Sequence, residues 1–380
     1  MNSFTCGSPK HLQTEQLEIE PVTEENLPRV AEYLTRWHSS ETQNDEKRSV
    51  DIPDSKKVEK QLSWRLLQNP ARRDEAELGY CVRSENGEIV GTILVFPSYF
   101  MLGDRRLTGL CSSCFFVNPE ARFQALLIFK KYLRAPHNDF YFGTTCSLYS
   151  GKLWQKLRGW AVPDSQFEYI VPFQTSTLLE ALADSKRLHR NWAMLARIIG
   201  RGTDTLRTVL INTASRLKVE RTQDWDRIAE LSRRHRNANL LTNERSSKFI
   251  EWRYAHSAGT CAHKVFCFID KAGNEGWFAL GQVSRGQRGQ VRGTVVLDFV
   301  WPQQKIKLSD VLSAAVELSA PDSDAMFLGA RPGLRYGVFG QMMVRRKLEG
   351  PQCFVLTSKA TDTIPSNIVE FVPADGDSAD

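Results

Sequence analysis

No apolar run in the chain approaches the roughly 20 residues that a membrane-spanning helix needs. The first sixteen residues, MNSFTCGSPKHLQTEQ, carry neither the charged nor the apolar region of a signal peptide. We therefore expect a cytoplasmic protein with a polar, disordered N-terminal stretch over 1–16. No GxxxxGK[ST] loop, HExxH, GxSxG, repeated CxxC or His pair at ligand spacing is present, which argues against the nucleotide-hydrolysing, zinc and serine-hydrolase classes and leaves no metal expected. The 8 cysteines are scattered, several within apparent strands, and suit reduced core positions. One CxxC, Cys111 to Cys114, lies on a predicted strand, where alternation would point its thiols to opposite faces.

What is present is an ordinary water-soluble balance: 41% apolar and 25% charged over 380 residues, long enough for two domains with full cores. The net charge of +6 is uneven. Lys186, Arg187, Arg190, Arg197, Arg201, Arg207, Arg216, Lys218 and Arg221 far outnumber nearby acids, whereas the tail ADGDSAD is acidic. The basic stretch suits either a solvated helix face or a polyanionic partner: coenzyme phosphates, a carrier protein or, by peripheral contact, an anionic membrane surface. Trp277, Phe299 and Trp301 fall in strand patterns and read as core, so no base-stacking platform for nucleic acid is expected.

The centre of the pattern is Leu107–Trp160. The run Leu110–Val117 suits a buried strand, ended by Asn118-Pro119 because proline cannot donate to a ladder. From Arg122 to Leu133, Phe123, Leu126, Leu127, Phe129 and Leu133 recur near helical spacing. A second strand covers Phe140–Thr145, and a second helix runs from about Gly151 to Leu157 and closes at Gly159. Such a βαβ unit receives ligands at its first strand-to-helix turn. Upstream, Leu17–Val22 predicts an edge strand and Thr23 an N-cap, with Asn26 where Glu or Gln would complete a capping box. A hairpin spans Tyr80–Phe96 around Ser84-Glu-Asn-Gly87, and Phe167–Phe173 is expected as the last strand of this half.

The pattern then repeats. LEIEPVTEENLPRVAEYL at Leu17 is echoed by LKVERTQDWDRIAELS at Leu217, KQLSWRLL at Lys60 by KFIEWRY at Lys248, and Asp139–Gly143 by Asp324–Gly329. Matching order argues for duplication of one fold. The expected layout is 17–175, a basic helical connection 176–216, a second copy 217–358, and an acidic tail 359–380. In the second copy, the strand Thr294–Trp301 ends in Pro302-Gln-Gln-Lys, so no nucleotide is expected there.

The order GEIVGTILVF, CFFVNPEAR, helix, DFYFG, LWQKLRGW resembles the GNAT superfamily of acyl-CoA-dependent acyltransferases, through Val117, Pro119, Arg122 and Lys156-Leu157 with Gly159-Trp160. The resemblance implies an α/β (α+β) protein of two tandem GNAT-like domains, each a mixed, mostly antiparallel sheet flanked by helices. It also implies an acyl group moved from acyl-CoA, or from the phosphopantetheine of an acyl carrier protein, to an amine or hydroxyl acceptor. Carried over, Phe115, Phe116 and Val117 would pair with the pantetheine amides, and Arg122, Phe123, Gln124 and Ala125 would hold the phosphates. Two departures stand out: the family's glycine turn is replaced by Arg122-Phe-Gln-Ala-Leu126, and Trp154 stands at the aromatic position before the Lys-Leu-x-Gly motif. For the proton donor to the leaving thiolate, Tyr149 is the first candidate, with Ser147 and Ser150 beside it. Glu168 and His38 are candidate bases. Each also has a plain structural reading, as do the strand cysteine Cys114 and the ligand-free turn of a degenerate copy. Two other functions stay open: a non-catalytic binding or assembly protein on the same fold, and a tRNA-dependent aminoacyl transferase using the basic stretch.

Overall fold

The computed structural model describes residues 17–44, 54–74, 76–185, 216–255, 263–285, 289–329, 343–348, 352–358, 364–365 and 368–372. The chain opens with Glu18–Pro21 (β1) at a sheet edge. Thr23 and Asn26 then cap each other: Thr23 N–H donates to Asn26 Oδ1 at 2.8 Å, and Asn26 N–H to Thr23 Oγ1 at 3.4 Å. An asparagine thus completes the box that usually takes Glu or Gln. Leu27–Asn44 (α1) and Ser55–Leu62 (α2) follow, and α2 runs into a single π-turn, Ser63–Leu67. Next come Gly79–Arg83 (β2), Ile89–Leu102 (β3) and Arg105–Val117 (β4). The strand expected to end at Phe96 continues through Pro97, paired with β4 in a second hairpin, to a tight turn at Gly103, whose φ of 58° suits glycine.

A 3₁₀ turn over Pro119–Gln124 leads into Ala125–Tyr132 (α3), then Phe140–Cys146 (β5), Leu148–Lys156 (α4), Trp160–Ala161 (β6), Phe167–Pro172 (β7) and Thr175–Ser185 (α5). The second half supplies Lys218–Arg221 (β8), the helix Trp225–Arg234, Thr242–Asn243 (β9), the helix Ser247–Ala255, Lys264–Ile269 (β10), Glu275–Arg285 (β11) and Val291–Val300 (β12). It ends with the helix Leu308–Ser319, Ala325–Gly329 (β13), Val344–Lys347 (β14) and Gln352–Thr357 (β15).

The first sheet has the order β1-β2-β3-β4-β5-β15-β6, with β9 also on β3; the second reads β14-β7-β13-β12-β11-β10-β8. The two are the same arrangement, antiparallel except at β4–β5 and β12–β13. The duplication read from sequence is thus built into the topology. Asp139 and Asp324 play one role twice: Oδ2 of each accepts the N–H of the residue opposite, Thr108 at 2.7 Å and Arg292 at 2.8 Å.

One expectation is corrected. Phe167–Pro172 does not close the first sheet; it pairs with β13 and β14 in the second, while β15 crosses back to pair with β5 and β6. Each half completes the other's sheet. Pro172 and the period-two pattern mark the strand but cannot specify a partner so far along the chain. The halves also meet at the repeated Ser-Trp-Arg and Glu-Trp-Arg motifs. Trp64 and Trp252 stack at 4.9 Å, and the indole N–H of each donates to the other's backbone carbonyl at 3.1 Å. Finally, Val369, Phe371 and Val372, within the stretch expected as an acidic tail, are buried. Phe371 stacks on Phe142, and the acids of the ADGDSAD segment follow it in sequence.

Candidate functional site

The parallel ladder between β4 and β5 is short: Gly109 faces Phe140, Leu110 faces Tyr141 and Cys111 faces Phe142. Beyond that rung each strand follows its outer neighbour, β4 with β3 to Val117 and β5 with β15 to Cys146. The parting has a local cause. Between Thr92–Phe116 and Leu94–Ser113 an extra residue enters β4, and Cys114 takes φ 48°, a left-handed conformation that a non-glycine residue holds at a cost of about 1–3 kcal/mol. The bulge bends β4 away. It also turns Cys114 onto the same core face as Cys111, against the expectation of opposite faces.

Tyr132 sits at the vertex of this fork. Its hydroxyl, fully buried, donates between the carbonyls of Leu110 at 2.8 Å and Phe142 at 3.1 Å, one on each strand. Burial pushes its pKa well above the usual phenol range, so it stays a neutral donor. Tyr132 lies outside the apolar positions expected to face inward from this helix. The observed inner face is Ala121, Gln124, Ile128, Phe129 and Tyr132, whereas Phe123, Leu126 and Leu127 are exposed, at 58%, 38% and 47%. The expected face is therefore rotated. Tyr132 stands four residues after Ile128 and three after Phe129, which was the available signal.

On the same side, Trp154 from α4 is buried against Phe129 at 5.1 Å and Phe354 at 6.2 Å. It backs the fork instead of entering between the strands. At Gly143, the first β5 residue past the last rung, an added Cβ would press on side chains alone: 2.8 Å from Cys146 Sγ, 3.1 Å from Ser112 Oγ and 3.5 Å from Trp154.

The mouth of the fork lies between the starts of α3 and α4, at the carboxyl ends of the parallel pair. Phe115, Phe116 and Val117 are half-buried on β4 just past the bulge, Arg122 and Phe123 are exposed at the 3₁₀ turn, and Gln124 is buried with Oε1 unpartnered. The turn takes up N–H groups that a phosphate would use: Ala125 N–H donates to Arg122 C=O. Ser147 is the N-cap of α4, its Oγ accepting Ser150 N–H at 3.2 Å, and Tyr149 is 83% exposed on the first turn.

The opposite face of the bulge holds a charge that the sequence motifs did not reveal. Arg65, in the π-turn, is 7% exposed and donates from Nη1 to Ser113 Oγ at 3.2 Å. The π-turn aims consecutive residues apart, Trp64 to the other half and Arg65 to β4.

Two candidates fall elsewhere. Glu168 lies on β7 in the second sheet, with Arg285 at 3.7 Å, so it does not join the fork residues. Burial, against the opposing pull of Arg285 and Arg346, raises its pKa. A carboxyl with a raised folded pKa contributes stability at low pH that is lost as pH rises through that value. Glu168→Gln is accordingly expected to melt above the wild type at pH 8, with the gap closing as pH falls into the carboxylate range. A Glu168→Gln protein melting below wild type at pH 8 would show that the arginine contact outweighs burial. His38 falls in α1, but its side chain, the connection 186–215 and the ends 1–16 and 373–380 lie outside the described residues. Among the described residues no cluster of His, Cys, Asp and Glu is placed to hold a metal ion, and no helix is long and apolar enough to cross a membrane.

No family model and no curated protein matches the sequence. Solved structures do. A GCN5-related N-acetyltransferase from Anabaena variabilis superposes with TM-score 0.55 at 11% identity, over 91% of this chain and 74% of its own. A tandem GNAT protein from the clavulanic acid biosynthesis pathway matches with TM-score 0.51 at 12% identity, over 91% of this chain and 100% of its own. The fold is a tandem GNAT fold. Saccharomyces cerevisiae N-myristoyltransferase with bound myristoyl-CoA shares it, with TM-score 0.55 at 12% identity over 95% and 84% of the two chains. At these identities the likeness establishes the tandem GNAT architecture, and chemistry must be argued from the fork.

Proposed function

We propose that the protein is an acyltransferase whose donor is a phosphopantetheine thioester, carried by coenzyme A or by an acyl carrier protein, and whose acceptor is an amine or hydroxyl. The observation that carries this reading is the parting of β4 from β5 after Cys111 and Phe142, produced by the bulge at Cys114. A thin, amide-bearing arm suits a gap between strands, because its N–H and C=O groups can continue the ladder that the strands leave. Backbone from Phe115 to Val117 would hold the arm, and Arg122 at the mouth would meet phosphate. Gln124 and Ala125 form the turn beneath, with Phe123 exposed beside it.

In the reaction the acceptor's lone pair attacks the thioester carbonyl and its proton passes to a base or to water; the C–S bond then breaks, and the leaving thiolate takes a proton from a nearby donor. The helix start of α4 brings Tyr149 to that end of β5, with Ser147 held as a cap. Arg65, buried beneath the bulge, adds positive potential where negative charge develops on the carbonyl oxygen.

The rival reading, a non-catalytic binding protein on this fold, is favoured by one observation, the use of Ala125 N–H within the 3₁₀ turn. Calorimetry with acetyl-CoA, longer acyl-CoAs and loaded carrier protein separates the two; a protein that binds none of these donors is not an acyltransferase of this kind. Because Arg122 is exposed, Arg122→Glu is expected to leave Tm unchanged while weakening donor binding by roughly 10- to 100-fold, the worth of one charge-assisted phosphate contact. Unchanged affinity in that variant would remove Arg122 from the site.

A further inference from the structure

Exposed apolar side chains gather at the mouth of the fork. Among the described residues seven large hydrophobic side chains are exposed, and five of them lie here: Phe123, Leu126 and Leu127 around the start of α3, Leu148 and Tyr149 at the start of α4. Such side chains are ordinary when scattered singly; gathered in one place they mark a surface that something covers. The helices that carry them lie side by side on one face of the sheet, joined where Phe129 meets Trp154, so the cluster flanks the gap between β4 and β5.

Behind the cluster each helix turns basic. Leu126 and Leu127 are followed, four residues on, by Lys130 and Lys131, and Leu148 and Tyr149 are followed by Lys152 and Lys156. Over 119–158 there are seven lysines and arginines (positions 122, 130, 131, 134, 152, 156 and 158) against two acids, Glu120 and Asp139. Asp139 sits at the far end of β5, accepting Thr108 N–H, and Glu120 accepts from Asn118 Nδ2 at 2.9 Å. Lys131 reaches across to Ile19 C=O at 3.5 Å on β1, where Glu18 and Glu20 lie, and so is directed away from the mouth. That leaves Arg122, Lys130, Lys152 and Lys156 around the cluster against Glu120, and none of these four bases forms an ion pair among the described residues.

An apolar cluster with a basic rim suits a nucleotide, an anionic membrane surface or an acidic protein, and the local geometry separates them. A diphosphate is best held by the open N–H groups of a helix start. Here the 3₁₀ turn runs straight into α3, with Ala121 N–H donating to Asn118 C=O at 3.0 Å and Ala125 N–H to Arg122 C=O; at α4, Ser147 Oγ already accepts Ser150 N–H. The lysines stand about 6 Å behind the mouth on α3 and up to about 12 Å behind it on α4, at 1.5 Å per residue, a spread that suits a protein face. A membrane resting on these side chains would close the mouth to a water-soluble donor. A protein that itself carries the phosphopantetheine closes nothing, because its arm enters the gap it covers, and its single phosphodiester needs one partner, which Arg122 supplies.

We propose that the acyl donor arrives on an acidic carrier protein, which seats an apolar, acid-rimmed surface over Leu126, Leu127 and Leu148 and against Lys130, Lys152 and Lys156 while its phosphopantetheine passes between β4 and β5. The proposal rests on the acyl-transfer reading and narrows its donor from two carriers to one.

The test gives the full chain acetyl and octanoyl groups on three carriers: a small acidic acyl carrier protein of the fatty-acid type, coenzyme A, and pantetheine alone. By calorimetry the loaded carrier protein should bind at least ~10-fold tighter than the matching acyl-CoA. Its affinity should fall by at least ~10-fold between about 0.1 and about 1 M salt, as the Debye length shrinks from about 10 to about 3 Å, while the uncharged acyl-pantetheine keeps its affinity. Lys152→Glu combined with Lys156→Glu should weaken the carrier protein by roughly 10- to 100-fold and leave acyl-pantetheine within about twofold. Leu148→Asp, an exposed first-turn position where an acid suits the helix dipole, should fold and weaken the carrier protein alone, so the result does not rest on one variant. Acyl-CoA binding as tightly as the loaded carrier protein, or carrier binding untouched by these variants, overturns the proposal and leaves acyl transfer standing. So does sedimentation with phosphatidylglycerol-containing vesicles, abolished by the double lysine variant, in a protein that binds no carrier protein. Failure of every thioester, pantetheine included, removes the acyl-transfer reading as well.

Discussion

Trp64→Ala is expected to cost about 3–5 kcal/mol, the range for deleting a buried tryptophan from a packed core, and to lower Tm by roughly 10 °C. Trp64 and Trp252 are 4% and 8% exposed and stacked at 4.9 Å, so most of that cost is lost burial and lost packing. A further part comes from hydrogen bonding. Each indole N–H caps the other residue's backbone carbonyl at 3.1 Å, so truncating the Trp64 ring leaves the buried Trp252 carbonyl without that donor, while the Trp252 N–H keeps the main-chain acceptor of residue 64. Arg253 adds to the stake, because its guanidinium, 1% exposed, lies 5.6 Å from the Trp64 ring. Trp252→Ala should cost a similar amount, since the two residues occupy equivalent positions in the repeat. The double variant should cost clearly less than the sum of the two, because the second truncation finds the pair already broken. Denaturant unfolding of the four proteins measures this directly. If the single costs add without interaction, the tryptophans stabilise their own halves and not the seam between them. The wild type should unfold in one transition, since β7 and β15 each lie in the other half's sheet and neither half keeps its sheet without the other.

The seam shows where sequence reading succeeds and where it stops. The repeat KQLSWRLL and KFIEWRY was visible as a repeat, and the duplication it implies is present. That the two copies touch each other is a long-range fact that no local pattern encodes. The strand exchange is the same case: Phe167–Pro172 was readable as a strand because alternation and proline are local, and its partner was not. Signals carried within a few residues fared well, as with Thr23 and Asn26, whose capping geometry is complete within four positions. At the fork, the strand, the Asn118-Pro119 stop and the helix were legible. The bulge was not, because Cys114 is the kind of residue that gives no hint of a positive φ. One added residue then re-aims the strand side chains after it, which is why the predicted face of Cys114 differs from that observed. Tyr132 and Arg65 were missed for a related reason: each acts through the end of a long side chain on a backbone or hydroxyl group of another element. Of the named candidates, Phe115 and Val117 lie at the end of β4, Arg122 and Gln124 in the 3₁₀ turn, Ala125 at the start of α3 and Tyr149 in the first turn of α4, whereas Glu168 is carried to the second sheet by the exchange.

Gly143→Val is expected to abolish donor binding, by at least about 100-fold, while the protein stays folded. The argument turns on where a side chain at this position must go. The Cβ of residue 143 would point to the α3 and α4 side of the sheet, 3.1 Å from Ser112 Oγ on the facing strand and 2.8 Å from Cys146 Sγ. Both neighbours are small side chains that can rotate, so the backbone need not move, and the strain should stay near the 1–3 kcal/mol of an overpacked core site. The two methyl groups of valine, however, have only the gap between β4 and β5 to occupy, because Trp154 lies 3.5 Å from the Cβ and is itself locked against Phe129 and Phe354. An arm threaded between the strands would meet them directly. Gly143→Ala, one carbon against three, should give an intermediate loss. Tyr132→Phe is the complementary variant: it removes the hydroxyl that ties Leu110 to Phe142 but adds no bulk, so it should lower Tm yet retain most donor affinity. Steric closure and loss of a fold-stabilising contact are thereby distinguished by comparing calorimetric affinity with Tm across the three variants. Should Gly143→Val bind acyl-CoA as well as the wild type does, the donor does not pass between these strands, and the widened gap is a feature of the sheet alone.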